Sequence, residues 1–272
     1  MSAVDLDLVP SVRTTINYID PACENAILYE GERESSTLRF DPRTVEVRDA
    51  RAAAERFTLA RNGFELVRHP VQIDFTDPAE VQARYVPAVQ ALIRSLTGAS
   101  EVLVFGEVLR NAAPGAKVEH QAAFSAHVDF DAETVAKFVR GMTPPDQADR
   151  LLAKRFALIN LWRGIAPVER TPLAVVDAGT VARADLRTGR IQNRPGDPGF
   201  DWTGYNLAYS PAHRWWWFPH MQPDEVLVFK LCDSDPDRLQ LTAHSAFEDP
   251  DSPEAAPPRR SFEIRTISFY ED

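Results

Sequence analysis

Five segments after residue 100 fix what this chain can become. Glu101 to Arg110, Phe156 to Arg163, Leu173 to Val181, Glu225 to Cys232 and Ser261 to Tyr270 are each dense in Val, Ile, Leu and Phe. Such residues fit a pleated, half-buried surface, so the chain beyond residue 100 is committed to packed β-structure. Short helices are expected between them, over Asp131 to Arg140 and Pro145 to Lys154. Asn193 to Gly199 and Asp249 to Pro258, rich in Pro, Asp and Gly, read as exposed loops rather than linkers, because strand-like sequence resumes after each.

The N-terminal third reads differently. Thr44 through Asn62 is rich in Ala, Arg and Glu and is expected to be helical up to Gly63. A clearer helix follows, with Asp77 as N-cap, Pro78 in the first turn, Glu80 three residues after the cap and Gly98 as the stop. Its apolar positions, Val81, Tyr85, Val89, Leu92, Ile93 and Leu96, recur at intervals of three and four, and Pro87 should kink or split it. Residues 1–272 are expected to form one domain. Helices from about 44 to 98 would buttress a core from about 101 to 272, mainly β with flanking helices in a cupin-like double-stranded β-helix, or jelly roll.

Lys and Arg total 30 against 40 for Asp and Glu, a net charge of −10. No basic patch is available for nucleic acid, and an anionic membrane would repel the chain. No apolar window reaches the ~18 residues of a membrane span. The acidic start, Met1 to Asp7, is unlike a signal peptide. The two cysteines, Cys23 and Cys232, are too few for a disulfide framework, and a cytoplasmic location is expected. The sequence leaves the oligomeric state open.

Chemistry is concentrated around His127-Val-Asp129. On an extended segment these two side chains project to the same side and can grip one metal ion. A second imidazole from downstream would complete a triad of two histidines and one carboxylate, leaving positions open on Fe(II) for O2 and a bidentate co-substrate. The other five of the six histidines are His69, His120, His213, His220 and His244. His244, after the strand Val226 to Leu231 and before the last strand, is the favoured partner; His220 competes. On the final strand Arg259, Ser261, Glu263 and Arg265 share one face by alternation, and Arg260, Phe262 and Ile264 the other. An arginine and a hydroxyl on an inward face can hold one carboxylate.

Asn160-Leu-Trp-Arg163, Pro172 to Asp177, Met221 to Lys230, His244-Ser-Ala-Phe247 and Pro258 to Arg265 stand in an order that resembles the gibberellin-desaturase-like oxygenases. That group includes the cephamycin methoxylation protein and fungal enzymes related to the novofumigatonin endoperoxidase. The resemblance runs from about Gly63 to the C-terminus. It implies a non-haem dioxygenase that uses Fe(II), 2-oxoglutarate and O2 to hydroxylate, desaturate or rearrange an unactivated C–H position of a small natural-product-type metabolite. It also implies His127, Asp129 and His244 as iron ligands and Arg259 with Ser261 as holders of the distal carboxylate of 2-oxoglutarate, Arg265 being the alternative. Retention of Asp129 argues against halogenation, which needs that position vacated for chloride.

Asn160, Trp162 and Arg163 are further pocket candidates, as are Trp217 within Trp215 to Phe218 and Lys230. The aromatic run equally suits core packing, Lys230 a barrel rim, and Asp177 either a strand-end cap or a partner for Arg163. Two other readings keep the fold. One is an iron oxygenase that dispenses with the keto acid, and the other a metal-binding jelly roll without turnover.

Overall fold

The computed structural model describes residues 6–111, 122–197 and 201–271. Its strands are β1 (Ser11–Ile19), β2 (Ala26–Tyr29), β3 (Phe40–Asp49), β4 (Phe64–Arg68), β5 (Glu101–Asn111), β6 (His127–Val128), β7 (Phe156–Gly164), β8 (Leu173–Val176), β9 (Leu186–Gln192), β10 (Asp201–Leu207), β11 (Trp215–Trp217), β12 (Glu225–Asp233), β13 (His244–Ala246) and β14 (Arg260–Phe269). Helices α1 (Pro78–Glu80), α2 (Val86–Thr97), α3 (Ala132–Met142) and α4 (Pro145–Leu152) flank them. The strands form a larger sheet, ordered β1-β3-β11-β8-β13-β6-β10-β9-β2, and a smaller one, ordered β4-β12-β7-β14-β5. This is the jelly roll expected.

Alternation decides what each face of the smaller sheet does. Leu158, Trp162, Leu227, Phe229 and Ile267 point inward and join Leu173, Val175 and Trp216 of the larger sheet in one buried cluster. Ile159, Leu161, Val226, Val228, Phe262 and Ile264 point outward and are covered by Val81, Tyr85, Val89 and Ile93 of the helical segment. That segment starts as read: Asp77 accepts from the Ala79 and Glu80 amides at 2.9 and 3.4 Å. Pro87 splits it through a π-helical turn, Val81–Tyr85, in which the Val86 amide donates to the Val81 carbonyl. A proline ring crowds the carbonyl four residues back, and widening the preceding turn relieves the clash without ending the helix.

The expected helix over Thr44 to Asn62 is not there. Residues up to Asp49 belong to β3, paired along β1, and 3₁₀ turns occupy Ala50–Arg56. Thr44 and Glu46 are exposed while Val47 is buried, a two-residue period that strand pairing rewards more than helix propensity resists. The N-terminal third thus supplies strands to both sheets as well as a helix. The strand at Leu173 stops at Val176, because Asp177 caps a short 3₁₀ turn by accepting from the Gly179 amide and also receives Asn62 Nδ2 at 3.1 Å. Asp177 is a cap and not a partner of Arg163. The described residues of Asp185 to Tyr209 are largely the hairpin of β9 and β10.

Candidate metal and co-substrate site

Strand β13 lies between β6 and β8, so His244 stands directly opposite His127 and the two imidazoles project from the same face. Their ring centroids are 4.4 Å apart. Asp129, two residues beyond His127, brings Oδ1 to 3.4 Å from His127 Nε2 and 4.0 Å from His244 Nε2. One ligand atom from each residue lies within 4.8 Å of the others, a spacing that fits a single metal ion. His127 Nδ1 sits 2.7 Å from the Ser125 carbonyl, which fixes its proton there and leaves Nε2 as the donor atom.

Charge is arranged to suit a cation. Burial opposes ionisation of Asp129, but the Arg265 guanidinium and the imidazoles hold its carboxyl well below the usual range. Burial lowers His244 to about 3, with the charge of His127 acting in the same direction, so this imidazole is neutral and its lone pair available. Burial would also lower His127, yet its hydrogen bond to Asp129 wins and raises it.

The smaller sheet closes the site from the other side. Phe229, Asn160 and Arg265 form a cross-strand row, and the Phe229 ring lies 4.8 Å from that of His244. Asn160 Nδ2 donates to Asp129 Oδ2 at 3.0 Å and to Glu263 Oε1 at 2.7 Å. Arg265 Nε lies 3.5 Å from Asp129 Oδ2, and its Nη2 lies 3.3 Å from Glu263. The β14–β5 register shifts between Ile264 and Arg265, which pair with Glu107 and Phe105, so the intervening Gly106 is the bulge residue and its φ of +64° is the left-handed conformation such a bulge favours.

Further along the same face, Arg259 is buried, donates from Nη1 to the Thr171 carbonyl at 2.6 Å and lies over the Trp162 ring at 5.3 Å. Among the described residues its Nε and the buried Ser261 Oγ have no hydrogen-bond partner, so two donors are placed for an acceptor. Burial and the neighbouring charge of Arg110 push the Arg259 guanidinium down to about 9.

Three pocket candidates fall elsewhere. Arg163 points to the opposite face, where Nη2 donates to the His69 carbonyl at 2.9 Å and the guanidinium lies 5.1 Å from the Tyr85 ring, because even-spaced alternation separates it from Asn160 and Trp162. Lys230 is buried on that same outer face and its Nζ binds Asp233 at 2.8 Å. Trp217 is core: it packs edge-on against Phe247, while Trp215 donates to the Tyr18 hydroxyl at 2.7 Å. Of the competing histidines, His220 is exposed, His213 meets Asp185 and His69 meets Arg163, whereas His120 lies outside the described residues. Open clefts of about 540 and 620 Å³ share no lining residue with the triad.

Two contributors have roles that the sequence does not reveal. Glu263 was on the correct face by alternation, but nothing local told of its partners. Gly204 on β10 is the other: a Cβ there would lie 2.4 Å from the Asp129 carbonyl oxygen. Gly204→Ala should therefore destabilise the fold by about 1–3 kcal/mol through overpacking. Denaturant titration checks this, and wild-type stability would show that β10 yields freely.

The family model described as "Oxidoreductase/YMDC permease-like domain" matches residues 16–269. No helix among the described residues is long and apolar enough to cross a membrane. The chain is 32% identical to the hydroxylase/desaturase efuI of Hormonema carpetanum, over 97% of this chain and 96% of that one. It is 30% identical to the Fe(II)/2-oxoglutarate-dependent dioxygenase nvfI of Aspergillus novofumigatus, over 86% of each. A solved structure of the iron and alpha-ketoglutarate-dependent endoperoxidase NvfI superposes with a TM-score of 0.87 at 27% identity, covering 96% of this chain and 99% of the other. Sheet order, triad and these likenesses agree, and the chain belongs to this oxidoreductase family, among the Fe(II)- and 2-oxoglutarate-dependent oxygenases built on a jelly roll.

Proposed function

We propose that the chain oxidises a C–H bond of a small natural-product-type metabolite, with His127, Asp129 and His244 holding Fe(II) and Arg259 with Ser261 holding 2-oxoglutarate. The observation that carries this reading is the pairing of a three-ligand cluster on the larger sheet with a buried arginine on the facing sheet whose Nε has no acceptor among the described residues. Held there, Fe(II) would let O2 act as a four-electron oxidant, the keto acid giving two electrons and leaving as succinate and CO2 and the C–H bond giving the other two. The protein's residues orient and exclude. Ser125 fixes the tautomer of His127, Asn160 turns Asp129 Oδ1 toward the imidazoles, and Phe229 shields His244. Arg259 clamps the far carboxylate, with Ser261 donating from Oγ and Trp162 fixing the plane of the guanidinium.

The shared inner cluster supports one oxygenase domain across residues 1–272, and the free buried Cys23 and Cys232 support a cytoplasmic setting. With a net charge of −10, neither nucleic acid nor an anionic membrane is a partner. Anaerobic addition of Fe(II) and 2-oxoglutarate should give a weak visible charge-transfer band, and O2 with substrate should give stoichiometric succinate. O2 uptake without succinate would favour the keto-acid-independent reading; no band and no uptake over a broad substrate panel would leave only a metal-binding jelly roll.

A further inference from the structure

We infer that Glu263 and Asn160 are positioning residues that decide which oxygen of Asp129 faces the two imidazoles. The inference rests on the reading of His127, Asp129 and His244 as metal ligands.

A carboxylate beside a guanidinium tends to accept both forks of it. Arg265, 3.5 Å from Asp129, could in that way turn both carboxylate oxygens away from the histidines. Glu263 competes for the same cation: its Oε1 stands 3.3 Å from Arg265 Nη2. The same oxygen accepts one N–H of Asn160 at 2.7 Å, while the other N–H of that amide goes to Asp129 Oδ2 at 3.0 Å. Asp129 Oδ2 is thus tied to the smaller sheet, and Oδ1 is left 3.4 and 4.0 Å from the two Nε2 atoms.

Charge points the same way. Two carboxylates and one guanidinium sum to a single negative charge beside the ligand cluster; without Glu263 they sum to zero, and Arg265 would compete undivided with a cation for Asp129. Asp129, Asn160 and Glu263 are all buried, where such competition is little screened by solvent. Strand alternation explains the placement, since Glu263 and Arg265 are two apart on β14 and Asn160 is the cross-strand partner of Arg265.

Glu263→Gln keeps the shape and an acceptor for Asn160 but removes the charge; Asn160→Ala releases Oδ2. The full-length, metal-free protein is titrated with Co(II) alone, following affinity and the visible Co(II) band, alongside thermal melting without metal. Both variants should bind Co(II) about 10- to 100-fold more weakly, and Asn160→Ala should alter the band shape because its carboxylate can rotate. Should Glu263→Gln fail to fold, Asn160→Ala decides alone. Wild-type affinity and band shape in the variants overturn the inference while leaving the metal site intact. So does weaker binding with an unchanged band that merely tracks lost metal-free stability. If the wild-type protein binds no Co(II), or His127→Ala binds it equally, the metal reading fails and this inference falls with it.

Discussion

Asp129→Ala is expected to abolish succinate formation and to weaken Fe(II) binding by more than about a hundredfold, since loss of a direct ligand should exceed the 10–100-fold typical of outer partners. The fold should survive. Asp129 lies just past the two-residue strand β6, whose pairing with β10 and β13 runs through His127 and Val128. Removing the side chain leaves Arg265 with Glu263 as a counter-charge, so no cation is stranded. The variant should therefore keep its far-UV circular dichroism and melt cooperatively while losing metal. Iron retention and turnover at wild-type levels would remove the triad from the mechanism, whatever the likeness to other oxygenases.

The parts of this site that were legible in the sequence are those governed by alternation. His127 and Asp129 two apart, and the four inward residues of the last strand, followed from a period of two. The pairing of His244 with His127 did not, because cross-strand register depends on neighbours distant in the chain; only the order of motifs and their resemblance to a family placed it. Arg163 went astray for the opposite reason. Asn160-Leu-Trp-Arg163 stands as a block in the sequence, yet the odd spacing of Arg163 from Asn160 puts it on the other face of the sheet, against Tyr85. At Thr44 to Asp49, the Ala- and Arg-rich stretch that follows from Ala50 conceals the Val-Glu-Val alternation of a strand. Hairpin β9–β10 shows only its connecting stretch in the sequence, because its strands lack a dense apolar run, and its Gly204 allows β10 to approach Asp129.

Arg259→Ala should raise the 2-oxoglutarate requirement roughly 30- to 700-fold, corresponding to about 2–4 kcal/mol for a truncated, buried charge pair, with Fe(II) affinity little changed. Among the described residues no carboxylate comes within ion-pair distance of Arg259, and it donates to the Thr171 carbonyl. That carbonyl belongs to a β-branched residue at φ +52°, a left-handed conformation such side chains rarely adopt, so backbone strain accompanies the placement of the guanidinium. A buried cation that no described carboxylate touches is costly to the fold, although the charge of Glu263 offsets part of that cost. Removing it should consequently not reduce the melting temperature of the protein free of metal and keto acid, and Arg259→Met, which fills more of the space over Trp162, should raise it. Lost co-substrate affinity with retained or increased stability is the signature of a residue kept for a ligand rather than for packing. Arg259→Lys should recover only part of the affinity, because an ammonium cannot reproduce the guanidinium fork. An unchanged 2-oxoglutarate requirement in Arg259→Ala would move the role to Arg265, but that residue is already divided between Asp129 and Glu263, and freeing it would disturb the carboxylate beside the histidines.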